Sequence, residues 1–129
     1  MQVFLSYAQD DAAFAKALSS ELGRRGISVW SPDENLLPGD NYHLQVGQAL
    51  AKSTAMVVLV SPESMRSKWV RSEIEYALGD PGYEGKLFPV EVRPTDDVPW
   101  ILRKFKTFRA AQSAAKISES IADALKQVA

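Results

Sequence analysis

The sequence predicts an α/β fold, a parallel sheet with helices on both faces. Three observations lead there. Short apolar runs near residues 3–5, 27–30, 55–60 and 87–92 alternate with segments whose apolar residues recur at helical spacing. The run Ala55–Val60 is apolar at every position, the pattern of a strand covered on both sides. The 129 residues, 46% hydrophobic and 24% charged, are enough for one core and too few for two.

Val3-Phe4-Leu5 ends in Ser6-Tyr7 and reads as a buried first strand. Asp10 and Asp11 are expected to cap the next helix, which carries Phe14, Ala17, Leu18 and Leu22 on one face and stops at Gly23 and Gly26. Ile27-Ser28-Val29-Trp30 makes the second strand. Residues 31–40 hold two prolines, a glycine and an asparagine, so a loop is predicted. Asp40 is expected to cap a helix with Tyr42, Val46, Ala49 and Leu50 in register. After the central strand Ala55–Val60, Ser61-Pro62 turns the chain toward a helix that bears Trp69 and ends near Gly79. Residues 80–85 form a loop and 87–92 the fourth strand. Pro94 and Pro99 break the chain before a helical turn over 100–104, and 105–109 make a fifth, edge strand. The last helix aligns Ile117, Ile121, Leu125 and Val128. No repeat, low-complexity tract or linker interrupts the chain, so residues 1–129 are expected to form a single domain.

Several function classes fall away. A net charge of -1 gives no electrostatic reason to bind nucleic acid or an anionic membrane. No segment approaches the roughly 20 apolar residues of a membrane helix. No basic leader precedes the first strand, and cysteine is absent, so a cytoplasmic location is expected. The lone histidine, His43, sits near a helix start with no second ligand in register, which predicts a helix-end role and no metal site. G-x-G-x-x-G after the first strand, the P-loop pattern and G-x-S-x-G are all missing.

The chemistry concentrates in Ser67-Lys68-Trp69-Val70-Arg71-Ser72-Glu73-Ile74. Trp69 and Glu73 are four apart, on one helical face. An aromatic beside an acid suits a flat cationic ring and a sugar that develops positive charge. The helix follows a strand end, where open α/β sheets bind ligands.

Together these segments resemble Toll/interleukin-1 receptor (TIR) domains. Val3-Phe4-Leu5-Ser6-Tyr7 is similar to the family's first box, V-F-[IL]-S-Y. Trp30 and then Asp33-Glu34-Asn35-Leu36-Leu37-Pro38-Gly39-Asp40 resemble the second box, the BB loop. Ser61-Pro62 with Ser67 to Ile74 resembles S-x-W-[CV]-x-x-E-[LI], and Phe105-Lys106 stands where the third box falls. The resemblance runs over about residues 2 to 110. It implies a flavodoxin-like three-layer sandwich with a five-stranded parallel sheet.

Some TIR domains only bind other TIR domains. Others cleave NAD at the nicotinamide–ribose bond, giving ADP-ribose or a cyclic isomer. The resemblance implies an NAD-cleaving enzyme acting in bacterial antiphage defence or signalling, with NAD as substrate and no resident cofactor. The alternative is a non-enzymatic interaction module. Glu73 matches the catalytic glutamate, and nicotinamide leaves as a neutral ring, so one carboxylate is enough. Glu75, two residues on, faces elsewhere.

Tyr7, Ala8, Ser61 and Ser67 are expected to border the substrate. Trp69 is either a stacking platform or a packing residue, and Trp30 either pocket wall or core. Ala8 departs from the basic residue common in the family, which leaves Arg66, Lys68 or Arg71 to meet phosphate. Leu36 and Leu37, beside Pro38 and Gly39, are expected to mark a self-association surface in the 31–40 loop unless they fold beneath it. A separate effector that senses the product is a further expected partner.

Overall fold

The apolar run Ala55–Val60 forms β3, and every one of its residues is buried. In the computed structural model, which describes residues 1–109 and 113–128, β3 is the middle strand of five. The others are β1 (Gln2–Ser6), β2 (Ser28–Trp30), β4 (Leu87–Glu91) and β5 (Phe108–Arg109). Their order is β2-β1-β3-β4-β5, and all pairs are parallel. This is the flavodoxin-like arrangement, whose strand order reverses direction between β1 and β3.

Strand alternation divides the core in two. Val3, Leu5, Val57 and Leu59 meet α1 (Ala12–Arg24) and α6 (Ala114–Val128) through Leu18, Leu22, Ile117, Ile121 and Leu125. Phe4, Met56, Val58 and Val60 face the other way. They meet α3 (Tyr42–Lys52), α4 (Pro62–Arg66) and α5 (Lys68–Gly79) through Val46, Leu50, Met65, Val70 and Ile74. Each fully buried Leu, Ile or Val contributes roughly 1.5–3 kcal/mol. A strand apolar at all positions is therefore held where both layers can use it.

Several boundaries differ from expectation. Neither Asp10 nor Asp11 caps α1 with its side chain; residues Gln9–Asp11 form a 3-10 turn and the Asp11 carboxylate is drawn inward. Gly23 lies within α1, and Gly26, at φ +80°, makes the turn after it. The 31–40 segment is not all loop. Pro32–Asn35 winds into a short helix, α2, with proline at its first position and the Asn35 side chain accepting from the Ser31 N–H at 3.0 Å. Asn41, not Asp40, caps α3, by accepting from the Leu44 N–H at 3.0 Å. Asp40 instead accepts from the Leu37 N–H at 2.8 Å and closes the turn that Gly39 makes at φ +91°.

Between β3 and Gly79 there are two helices, because Ser67 is extended (φ -78°, ψ 122°) and restarts the chain as the cap of α5. Residues Pro81–Tyr83 and Leu102–Lys104 are 3-10 turns. β5 keeps only two of its five predicted residues, as an edge strand paired on one side can. The side chain of Val128 lies outside the described residues. Among the described residues no helix is long and apolar enough to cross a membrane.

Candidate active site

The carboxyl ends of β1 and β3 open into a crevice of about 500 Å3, at the reversal of strand order. The segment after β1 supplies Tyr7 and Ala8 to its wall, α2 and its turn supply Asp33 and Leu36, and α3 and α5 supply Tyr42 and Trp69.

Glu73 belongs to the stripe of α5 that packs on the sheet, Val70, Glu73, Ile74 and Ala77, so an acid occupies an apolar position. It is 6% exposed. The hydroxyl of Ser6, at the end of β1, donates to its Oε1 at 2.7 Å. Burial pushes the Glu73 carboxyl up to about 7, and the Ser6 hydrogen bond pulls in the opposite direction. At neutral pH the group is therefore poised between acid and carboxylate. A cation brought beside it would favour the ionised form.

Trp69, one turn before Glu73, is 48% exposed. Its ring stands at the rim against the edge of Tyr42, centroids 5.0 Å apart at 65°, and beside His43 at 4.8 Å. About half of the side chain is thus covered by neighbours and half is open to solvent. Tyr42 lines the crevice beside Trp69, whereas the buried Glu73 is not itself among the lining residues. The Tyr42 phenol pKa is raised by burial first and then by the charges of Glu73 and Asp33. Tyr7 donates its hydroxyl to Asp33 Oδ2 at 2.7 Å, which ties α2 to the end of β1. Burial and that neighbour raise its pKa as well.

The other expected site residues divide. Ala8 and Ser67 line the crevice, and Ser67 also caps α5, accepting from the Val70 N–H at 3.3 Å. Ser61 does not reach it. Its side chain is fully buried, donates to Asp11 Oδ2 at 2.6 Å and caps α4 in a capping box with Ser64. Trp30 stacks on Phe4, centroids 5.3 Å apart at 16°, and is absent from the crevice wall, so of its two roles the core is the one observed. Leu36 lines the crevice while Leu37 is 70% exposed, so the pair does not act as one patch. Pro38 and Gly39 are exposed beside it. His43 is at the start of α3, and Glu75 is exposed.

Besides Ser6, Asp33 and Tyr42, three further residues have roles that were not foreseen, namely Asp11, Arg93 and Glu63. Asp11, 3% exposed, also accepts from Arg93 Nη2 at 2.8 Å. The same nitrogen lies 2.7 Å from Glu63 Oε1. That contact is an ion pair with poor hydrogen-bond alignment, for Oε1 is enclosed and without a hydrogen-bond partner among the described residues. The network joins the ends of β1, β3 and β4. Asp11 was legible only as a helix cap, because its partner is 82 positions away.

Comparison with known proteins agrees on one family. The family model described as TIR domain matches residues 3–127. An NAD(+) hydrolase of Paracoccus denitrificans, PdTIR, is 31% identical over 74 residues, 57% of this chain and 25% of that protein. A protein of Methanobrevibacter olleyae named "Probable 2' cyclic ADP-D-ribose synthase TcpO" is 28% identical over 89 residues, 68% of this chain and 26% of that one. The chain spans about a quarter of the length of either relative. The solved TIR domain of the Toll-related receptor TRR-2 from Hydra magnipapillata superposes with a TM-score of 0.77 at 19% identity, covering 97% of this chain and 94% of that one. That likeness establishes the shared fold.

Proposed function

The chain belongs to the TIR domain family, and on that premise we propose that it is an enzyme that breaks the nicotinamide–ribose bond of NAD. The observation that carries this is Glu73, a buried carboxyl held at a pKa of about 7, one helical turn from the exposed indole of Trp69, which lines the crevice. The relatives named as an NAD hydrolase and a cyclic ADP-ribose synthase support the same chemistry.

In this reading the pyridinium ring of NAD stacks against Trp69 by cation–π attraction. Its positive charge, next to a desolvated carboxyl, draws Glu73 into the ionised form. As the C–N bond breaks, the bonding electrons leave with nicotinamide, which becomes neutral and needs no proton. Positive charge moves to the ribose, and the Glu73 carboxylate stabilises it at low local dielectric. Ser6 holds the carboxylate in place. Water or the adenine ring then captures the ribosyl cation and gives up a proton to solvent, leaving ADP-ribose or a cyclic isomer. A role in bacterial defence or signalling, with a product sensed by a separate effector, fits such a reaction.

The expected pH profile tests it. The kcat/KM for NAD should rise tenfold per pH unit below about 7 and level off above, following ionisation of Glu73. A profile flat from pH 5 to 9 would remove Glu73 from the chemistry.

A second reading has its own observation. Leu37 stands 70% exposed on the 31–40 segment, as a contact residue for another TIR domain would. A purely interacting module would bind its partner equally well as wild type and as Glu73→Gln. In the enzymatic reading the same loop drives self-association of the active form.

A further inference from the structure

The crevice wall carries the carboxylates of Asp10, Asp33 and Glu63 and neither lysine nor arginine. A dinucleotide brings two phosphates to it. On the reading that NAD is the substrate, we propose that Arg93 recognises the diphosphate, by leaving Glu63 and presenting the free edge of its guanidinium.

Four features of Arg93 support this. Its Nη2 is anchored on Asp11 Oδ1 at 2.8 Å, and Asp11 is in turn fixed by the buried Ser61 hydroxyl at 2.6 Å. The guanidinium is thus positioned before any ligand arrives. Its Nε and Nη1 donate to no protein acceptor among the described residues, although the side chain is 44% exposed. Each fork edge of a guanidinium includes Nη2, so leaving Glu63 frees the second Nη2 hydrogen, which with the neighbouring unused N–H matches two oxygens of one phosphate. Its second partner, Glu63, is an exchangeable one: the 2.7 Å contact is poorly aligned, and Glu63 itself lines the crevice. Arg93 is not itself among the lining residues, so the exchange swaps a misaligned carboxylate for a bidentate phosphate next to the wall that Glu63 lines.

The other nearby arginines are engaged elsewhere. Arg66 pairs with Asp97 at 3.5 Å, and Arg71 donates to the Met65 carbonyl. Lys68 is exposed on the first turn of α5 and is the competing cation.

The test is calorimetric binding of ADP-ribose, which has the diphosphate and lacks the scissile bond, with adenosine as the phosphate-free control. Wild type is compared with Arg93→Lys, Glu63→Gln and Lys68→Gln, each checked for an unchanged thermal transition. Lysine keeps a charge for Asp11 and loses the fork, so Arg93→Lys should weaken ADP-ribose about 10- to 100-fold and leave adenosine unchanged. Glu63→Gln frees the arginine and should tighten ADP-ribose. The proposal is overturned if wild type does not bind ADP-ribose, if Arg93→Lys binds it normally, if Glu63→Gln does not tighten it, or if Lys68→Gln carries the loss. Its failure is separable from that of the cleavage reading. Arg93-dependent binding by a protein that leaves NAD intact removes cleavage alone, and NAD consumption with a KM indifferent to Arg93→Lys removes the arginine alone.

Discussion

Replacing Glu73 by glutamine should make the protein more stable as well as inactive, and the gain should depend on pH. Folding lifts the carboxyl from 4.5 to about 7, chiefly by burial. Between those values the folded state holds a proton that the unfolded state has lost, so wild-type stability falls as pH rises from 4.5 to about 7 and is constant above. At about 1.4 kcal/mol per pH unit, that interval amounts to roughly 3 kcal/mol. Glutamine cannot ionise and its amide oxygen can still accept from Ser6, so its stability lacks this fall. Urea unfolding at pH 4.5 and pH 8 measures the difference. The variant should gain about 3 kcal/mol on wild type between the two pH values. A constant difference across pH would mean that Glu73 is not desolvated in the folded chain, and the poised carboxyl would have to be abandoned. The size of the effect also explains why an acid in that stripe demands a functional reason. Stability has been surrendered there.

Other perturbations separate site from scaffold. Ser61→Ala removes the α4 cap and one donor from buried Asp11, and should destabilise by about 2 to 4 kcal/mol in urea titration. Trp69→Ala should raise the KM for NAD about 3- to 30-fold through the lost cation–π contact. Its melting temperature should change little, since the ring is half exposed. Trp30→Ala, which unstacks Phe4, should do the reverse and cost about 3 kcal/mol with KM nearly unchanged. Leu37→Asp should leave the fold intact and abolish self-association seen by light scattering, with loss of activity. A strictly monomeric, fully active Leu37→Asp protein would refute the assembly role of the loop.

Legibility in the sequence followed interaction range. β3 was readable because six consecutive apolar residues admit few other environments, and the two faces of the core follow from the period of a strand. The register of Trp69 and Glu73 was readable because it is a property of one helix. Cap identity failed where two candidates stood side by side: Asp40 and Asn41 compete for α3, and a local turn around Gly39 takes Asp40 away. Ser61 and Asp11 were misread for a different reason. Each has a local role that its neighbours suggest, and each is claimed by a partner at least 50 positions distant. The same limit hid the Ser6–Glu73 hydrogen bond, 67 positions apart. Periodicity reports the burial of a side chain, and only the assembled sheet brings distant polar groups to one place.

NAD cleavage by Glu73 is tested by incubating concentrated purified protein with NAD and resolving the products by chromatography, wild type beside Glu73→Gln. Wild type alone should consume NAD and release nicotinamide, and the second product peak then identifies hydrolysis or cyclisation. Equal loss in both proteins, or none in wild type under assembly-promoting conditions, would contradict cleavage by Glu73.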